Sequence, residues 1–600
     1  MSLSLPSKET LPQLIRRALS EPRPDALVER VDGAWTPMPS ERVLDRTLDL
    51  ACAIRDAGLS QGDRVALIGH DCIDWIICDF ATLFAGCVVV PIYPTQALDH
   101  TEYILKHSEA KLLFIDTPAS LERLRTANIA LPRSIVIDAN GDDSLAAFEA
   151  RGAKIRAAHP ELPGEYEVSS KPDDLAVLIY TSGTTGVPKG VVLSHDNIGF
   201  DAQSALDYGL EGLHVGESVL SVLPFSHIYE HTMIYIYLLS HVRYNICHDP
   251  NTLLADMQEV RPRYMTSVPR IFDRILAGVQ GQAMKNGGLQ AKLVPWALRV
   301  GREYMEAQTF GNGANPMLSL QYALAKRLVL EKLRKVLGLD NVDHLSSGSA
   351  KLHVDVAMTF LGMGVPIMQG YGLTETSPVL TVSRSSDNEY GAVGRAIPGV
   401  EIKIAPDGEI LARGRNIMQG YYRDPDATAA VLADGWFHTG DIGEVDARGF
   451  LRITDRKKEV FKTATGKYVS PARVEAAIKR SVFVAQAMVI GDGRPHPAAL
   501  ICPNWDLVRV EMNIPASVPP DELAERDDVI DFVTAEVRKQ TADLASFEQI
   551  RRVVVLPREF TVESGELSPS MKIKRRVVEE RYRSAIDRAY AVDLHAHAHA

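Results

Sequence analysis

Between Gly62 and Asp116 short apolar, β-branched runs alternate with segments of helical period, and this alternation narrows the folds open to the chain. The runs "GDRVALIGH" (62–70), "CVVVPIY" (87–93) and "KLLFID" (111–116) read as strands, while 72–85 and "ALDHTEYILKHSEA" (97–110) read as helices. Strands joined through helices need crossover connections and lie parallel, which predicts an α/β body with doubly wound sheets. The most membrane-like stretch, Trp75 to Tyr93, fits the same pattern: Asp79 interrupts it, and Gly86 and Pro91 suit a helix stop before a buried strand.

Six hundred residues exceed one core, since domains average about 150 residues. From about 250 to 340 the strand signals thin out, and "RIFDRILAGVQGQAMKNGG" and "LSLQYALAKRLVLEKLRKVLG" predict a helical insertion. A β-rich subdomain is expected over about 390–456, with a hairpin at Pro406-Asp407-Gly408 in "GVEIKIAPDGEILARG". A charge cluster at Asp455–Lys458 marks the predicted boundary between a large N-terminal domain (1–456) and a small α+β C-terminal domain (457–600), whose first helix begins at Pro471. The closing His/Ala run, with His595, His597 and His599, reads as a disordered tail, metal binding there being the lesser alternative.

The formal charge of -12 argues against a nucleic-acid partner, which selects for a basic face. Six cysteines in apolar contexts, never as C-x-x-C, suit reduced core residues of a cytoplasmic protein. The first residues lack the charged start and apolar run of a secretory signal.

One loop carries chemistry. "IYTSGTTGVPKG" (179–190) follows an apolar strand and offers Thr181, Ser182, Thr184, Thr185 and Lys189 as phosphate partners, with Gly183, Gly186 and Gly190 for tight turns. It fails the G-x-x-x-x-G-K-[ST] pattern, because Pro188 precedes the lysine and Gly190 follows it. A surface turn is the plain alternative, but nine of the ten residues 181–190 are small, hydroxylic, Pro or Lys.

"YTSGTTGVPKGV" resembles the signature of the adenylate-forming superfamily, which includes acyl-CoA synthetases, peptide-synthetase adenylation domains and luciferases. Further blocks match in order: "QGYGLTET" (369–376), "DGWFHTGD" (434–441), "ITDRKKE" (453–459) and "GELSPSMKIKRR" (565–576). The resemblance implies that Gln369, Gly370, Tyr371 and Gly372 line the adenine, with Tyr371 stacked on the base. It further implies that Thr374 contacts the α-phosphate, that Glu375 holds Mg²⁺, and that Asp441, Ile453 and Arg456 serve the ribose and hinge side. Gly348 and Ser349 in "SSGSA" match the block whose backbone lines the adenine, although Ser349 and Lys351 stand where Gly and Pro are common.

An anionic carboxylate attacking an anionic phosphate needs a bridging cation. Lys572 matches the family's catalytic lysine, with Lys574 the alternative on the same face of an extended segment. Lys458 matches the hinge about which the C-terminal domain rotates between half-reactions. Gly466 in "TATGKY" would then line the thiol tunnel, although Ala464 and Thr465 replace the commoner small residues. "LPFSHIYEHT" (223–232) resembles the acyl block of long-chain members, placing His227, Ile228 and Tyr229 near the substrate. A core histidine is the competing reading of His227.

The chain therefore reads as a long-chain fatty acid:CoA ligase using ATP, Mg²⁺ and coenzyme A. Its alternatives are a fatty acyl-AMP ligase loading a carrier protein and a non-catalytic acyl or nucleotide sensor. Peripheral membrane contact and homodimerisation are left open.

Overall fold

The structure is a computed structural model that describes residues 5–182, 187–210, 213–457, 459–562, 564–568 and 571–597, the side chains of residues 182 and 592–597 excepted. A seven-stranded sheet runs, edge to edge, through Gly420–Tyr421, Pro188–Ser194, Leu175–Ser182, Val88–Ile92, Arg64–Ile68, Leu112–Ile115 and Arg133–Val136. The strands from Leu175–Ser182 to Arg133–Val136 are parallel, as the alternation of runs predicts. Pro188–Ser194 returns antiparallel against Leu175–Ser182, so the strands on either side of the glycine-rich segment pair with each other.

The helix Ile73–Phe84 is buried at every position except Asp74. A helix apolar on all sides belongs inside the molecule, and Val88–Ile92 behind it is buried throughout. The membrane-like stretch is thus core, and no described helix is long and apolar enough to cross a membrane.

A nine-stranded sheet has six parallel strands at its centre, in the order Ile367–Gly372, His344–Ser347, Tyr264–Ser267, Ser218–Ser221, Arg243–Ile246 and Leu27–Val31. Tyr264–Ser267 lies inside the range expected to be helical. Four residues buried on both faces are too short to show a period, so the strand is invisible to pattern reading. The helical unit begins at Pro269 and comprises Pro269–Asn286, Gln290–Thr309, Pro316–Ala325, a π-helical turn Lys326–Leu330, and Glu331–Val336. It is an enlarged crossover between two neighbouring parallel strands.

The expected hairpin forms between Glu401–Ile404 and Glu409–Arg413, with Gly408 at φ +87° in its turn. Trp436–Val445 and Leu451–Arg456 extend that sheet. Among the described residues, apolar clusters of the N-terminal part reach no further than Ile453, and those of the C-terminal part begin at Phe461. The C-terminal part builds a three-stranded sheet, Val484–Ile490, Ala498–Pro503 and Arg552–Val555, covered by helices that include Pro471–Ile478. The helix Arg583–His597 carries helical backbone into the His/Ala run where disorder was expected, while His599 lies outside the described residues.

Candidate active site

These two strands pair Thr181 with Lys189, on either side of the glycine-rich segment. Gly183, Thr184, Thr185 and the Ser182 side chain lie outside the described residues. Lys189 Nζ stands 4.9 Å from the ring centroid of Tyr421, and Tyr421 Oη donates to Glu375 Oε1 at 2.8 Å. Burial, then the charge of Glu375, raises the Tyr421 phenol pKa, so it stays a neutral donor. Tyr421 therefore ties the loop lysine to the carboxylate expected to hold Mg²⁺. It was missed because a tyrosine on a two-residue edge strand carries no local signature.

Glu375 and Thr374 sit on a single 3-10 turn, Thr374–Thr376, directly after the strand Ile367–Gly372. The chain doubles back so closely that a Cβ on Gly372 would lie 1.6 Å from the Pro378 carbonyl oxygen. Glycine is obligatory there for a backbone approach, whereas the Gly370 position has room, its nearest neighbour being 3.6 Å away. Gln369 is buried and donates its amide to the Ala392 carbonyl at 3.1 Å, which braces the strand.

Tyr371 Oη donates to Asp441 Oδ2 at 2.7 Å, and Arg456 Nε donates to Asp441 Oδ1 at 2.9 Å. Asp441 and Arg456 are direct partners in the antiparallel pair Trp436–Val445 and Leu451–Arg456, while Tyr371 comes from the nine-stranded sheet. Two sheets thus orient one buried carboxylate, whose remaining lone pairs can accept hydroxyls. Ile453 is half-buried on the strand of Arg456.

Gly348 follows the strand His344–Ser347, and a Cβ there would lie 2.8 Å from the Tyr229 ring. Ala350 N–H donates to the Gly348 carbonyl at 2.8 Å, closing a three-residue turn centred on Ser349 at φ +64°. Such turns are strained for residues with a Cβ, which accounts physically for glycine being the commoner residue at this place.

His227 caps the helix Ile228–Leu239, its Nδ1 accepting from Tyr229 N–H at 3.1 Å. The proton of the neutral ring is therefore assigned to Nε2. Burial, then the Lys572 charge, pushes the imidazole pKa down to about 3. Ile228 is buried, and Tyr229 Oη shares a hydrogen bond with Ser346 Oγ at 3.1 Å. Behind them Glu230, fully buried, accepts from Ser221 (2.6 Å), Thr266 (2.8 Å) and Tyr244 (3.1 Å). Burial still raises its carboxyl pKa to about 7.

Lys572, in the C-terminal part, lies within electrostatic reach of charged groups of the N-terminal part. It keeps exposed surface, yet its ammonium pKa is lowered first by desolvation and then by Arg456, while Asp441, Glu375 and Glu459 pull it back up. Its loop closes on itself through Lys572 N to Ser568 Oγ (3.1 Å) and Ser568 N to the Lys572 carbonyl (2.8 Å). Lys574 occupies the N-cap position of the helix Arg575–Arg581, its side chain making no capping hydrogen bond. Arg270, at the start of the helical unit, reaches Glu559 Oε2 at 3.4 Å and Met571 Sδ at 3.9 Å.

Lys458 lies outside the described residues. Lys457 on one side of it is held by Asp407 (2.7 Å) and Glu409 (2.9 Å). Glu459 on the other stands 4.0 Å from Arg456 and 3.6 Å from Arg575. Gly466 is not brought to this cluster. It turns the short hairpin Phe461–Lys462 to Tyr468–Val469 at φ +81°, with contacts inside the C-terminal part.

A family profile described as "AMP-binding enzyme" matches residues 17–422, and one described as "AMP-binding enzyme C-terminal domain" matches residues 458–593. The chain is 34% identical over 566 residues to the long-chain-fatty-acid–CoA ligase FadD15 of Mycobacterium tuberculosis, covering 93% of each. It is 29% identical to the long-chain-fatty-acid–CoA ligase ACSBG2 of Rattus norvegicus, covering 97% of this chain and 93% of the relative. The adenylation domain of a carboxylate reductase from Mycobacterium chelonae shares the fold at TM-score 0.75 and 21% identity, covering 98% of this chain and 92% of that one. ATP-bound MatB from Rhodopseudomonas palustris does so at TM-score 0.69 and 23% identity, covering 95% and 99%.

Proposed function

This chain belongs to the AMP-binding enzyme family, and from that premise we propose that it is a long-chain fatty acid:CoA ligase working in two steps. First the fatty carboxylate attacks the α-phosphorus of ATP, the bond to the bridging oxygen breaks, and acyl-AMP and pyrophosphate form. The thiol of coenzyme A then loses its proton, its sulfur attacks the acyl carbon, and AMP leaves.

The observation that carries this reading is the buried Asp441 carboxylate held by Tyr371 and Arg456, with Lys572 close enough for its charge to act on Arg456, Asp441, Glu375 and His227. A cation at that position relieves the repulsion between carboxylate and α-phosphate. Neutral His227 offers Nε2–H to a carboxylate without forming a competing ion pair. Asp441, oriented by Tyr371 and Arg456, accepts the ribose hydroxyls, as an acidic residue does in dinucleotide sites. Thr374 meets the α-phosphate, and Thr181 and Lys189 flank the loop that grips the leaving pyrophosphate. Backbone at Gly348 and Ser349 and the ring of Tyr371 bound the adenine.

A lone carboxylate suits Mg²⁺, which is usually held by one or two carboxylates together with phosphates and water. Glu375, accepting from the neutral Tyr421, would hold the ion, which neutralises phosphate charge when bound. The C-terminal part turns about Lys458 between steps, bringing Gly466 to the thiol path. A cytoplasmic setting is supported by six free cysteines, five of them buried.

The test is pyrophosphate release with saturated acids from acetate to arachidate, with and without CoA. The reading requires a long-chain optimum and CoA-dependent thioester. Pyrophosphate release without thioester would move the acceptor to a carrier protein, and none with any acid would end the enzymatic reading.

A further inference from the structure

The helix Pro316–Ala325 and the π-turn after it have two apolar faces. The inner one, with Leu318, Tyr322, Ala325 and Val329, packs into the core of the helical unit. The outer one consists of Met317, Leu320, Leu324 and Leu328, at spacings of three or four residues and 43–68% exposed. Folding is already served by the inner face, so an outer stripe of four large apolar side chains is surplus to it.

Charge indicates what covers the stripe. Residues 316–336 carry five basic side chains against one acidic, in a chain whose formal charge is -12. Lys326, Arg327, Lys332 and Lys335 are exposed, and none meets a carboxylate among the described residues. A second copy apposed through this face would set like charges against each other, whereas an anionic lipid surface matches both the apolar stripe and the basic flank. The unit's inner face and Tyr229, at the proposed acyl site, belong to the same apolar cluster.

We propose that the helix Pro316–Ala325, with Leu328 and the basic residues after it, docks the enzyme onto an anionic bilayer. This rests on the reading of the substrate as a fatty acid, which partitions into bilayers and would be collected there.

The test is sedimentation of the full chain with vesicles of phosphatidylcholine alone and of equimolar phosphatidylcholine and phosphatidylglycerol. Binding is expected to the second, weakened by salt. The double variants Leu320→Ser/Leu324→Ser and Lys332→Glu/Lys335→Glu should each lose roughly ten-fold or more in partitioning, with octanoate turnover unchanged. Wild-type binding by both variants overturns the proposal, as does a change in solution mass on substitution with vesicle binding intact. Vesicle binding is read without turnover, so an enzyme inactive on every acid would remove the substrate reading while leaving the surface to be judged by its own variants.

Discussion

Tyr371 and Asp441, seventy residues apart, are joined by a 2.7 Å hydrogen bond from the phenol to the carboxylate. Tyr371→Phe keeps the ring and removes this donor. The expected outcome is a KM for ATP raised about five-fold, as the loss of about 1 kcal/mol implies, with kcat little changed in a steady-state pyrophosphate assay. An unchanged KM would separate Asp441 from ribose binding.

Tyr421→Phe leaves a ring beneath Lys189 but frees Glu375 of its hydrogen bond. An unrestrained carboxylate is less well aimed at a cation, so the Mg²⁺ concentration for half-maximal adenylation should rise several-fold. Chelating the metal should stop wild type and variant alike.

His227 gives a pH test. Its folded pKa, about 3, lies below its ordinary value of 6.5, so between these the unfolded chain binds more protons. His227 therefore costs stability progressively as pH falls below about 6.5. His227→Asn lacks that penalty. In thermal melts from neutral pH down to about 4, any advantage of wild type over the variant should shrink. A constant gap would contradict the buried neutral imidazole.

Ser349 holds a left-handed conformation that glycine adopts freely. Ser349→Gly should stabilise the chain by up to about 1 kcal/mol, after allowing for glycine's greater unfolded freedom. Gly372→Ala should prevent native folding, since the Pro378 carbonyl occupies the methyl's place. Melting temperature and soluble yield check the pair.

Glu459 stands between Arg456 and Arg575 across the hinge position. Both contacts are long and partly exposed, so they contribute little, about 0–1 kcal/mol. Glu459→Gln should slow adenylation by no more than about five-fold, and added salt should narrow the difference from wild type.

Local pattern made much of this legible. The parallel strands around Arg64–Ile68, the buried stretch at Trp75–Tyr93 and the hairpin at Gly408 follow from period and turn chemistry alone. Asp441 and Arg456 were legible only through family blocks, and the structure supplies the reason they act together, namely direct pairing across two strands. Tyr421 and the Glu230 network were hidden because their partners come from distant segments. The strand Tyr264–Ser267 was hidden by brevity. The choice of Lys572 over Lys574 rests on block order; Lys574 stands at the N-cap position of the helix Arg575–Arg581 with no side-chain capping bond.

Lys572 is proposed to serve the α-phosphate step alone, and separate half-reaction kinetics of Lys572→Ala test this most directly. The account predicts that acyl-AMP formation falls by roughly a hundred-fold or more, while thioester formation from supplied acyl-AMP and CoA stays near the wild-type rate. Equal loss of both half-reactions, or adenylation at the wild-type rate, would contradict it.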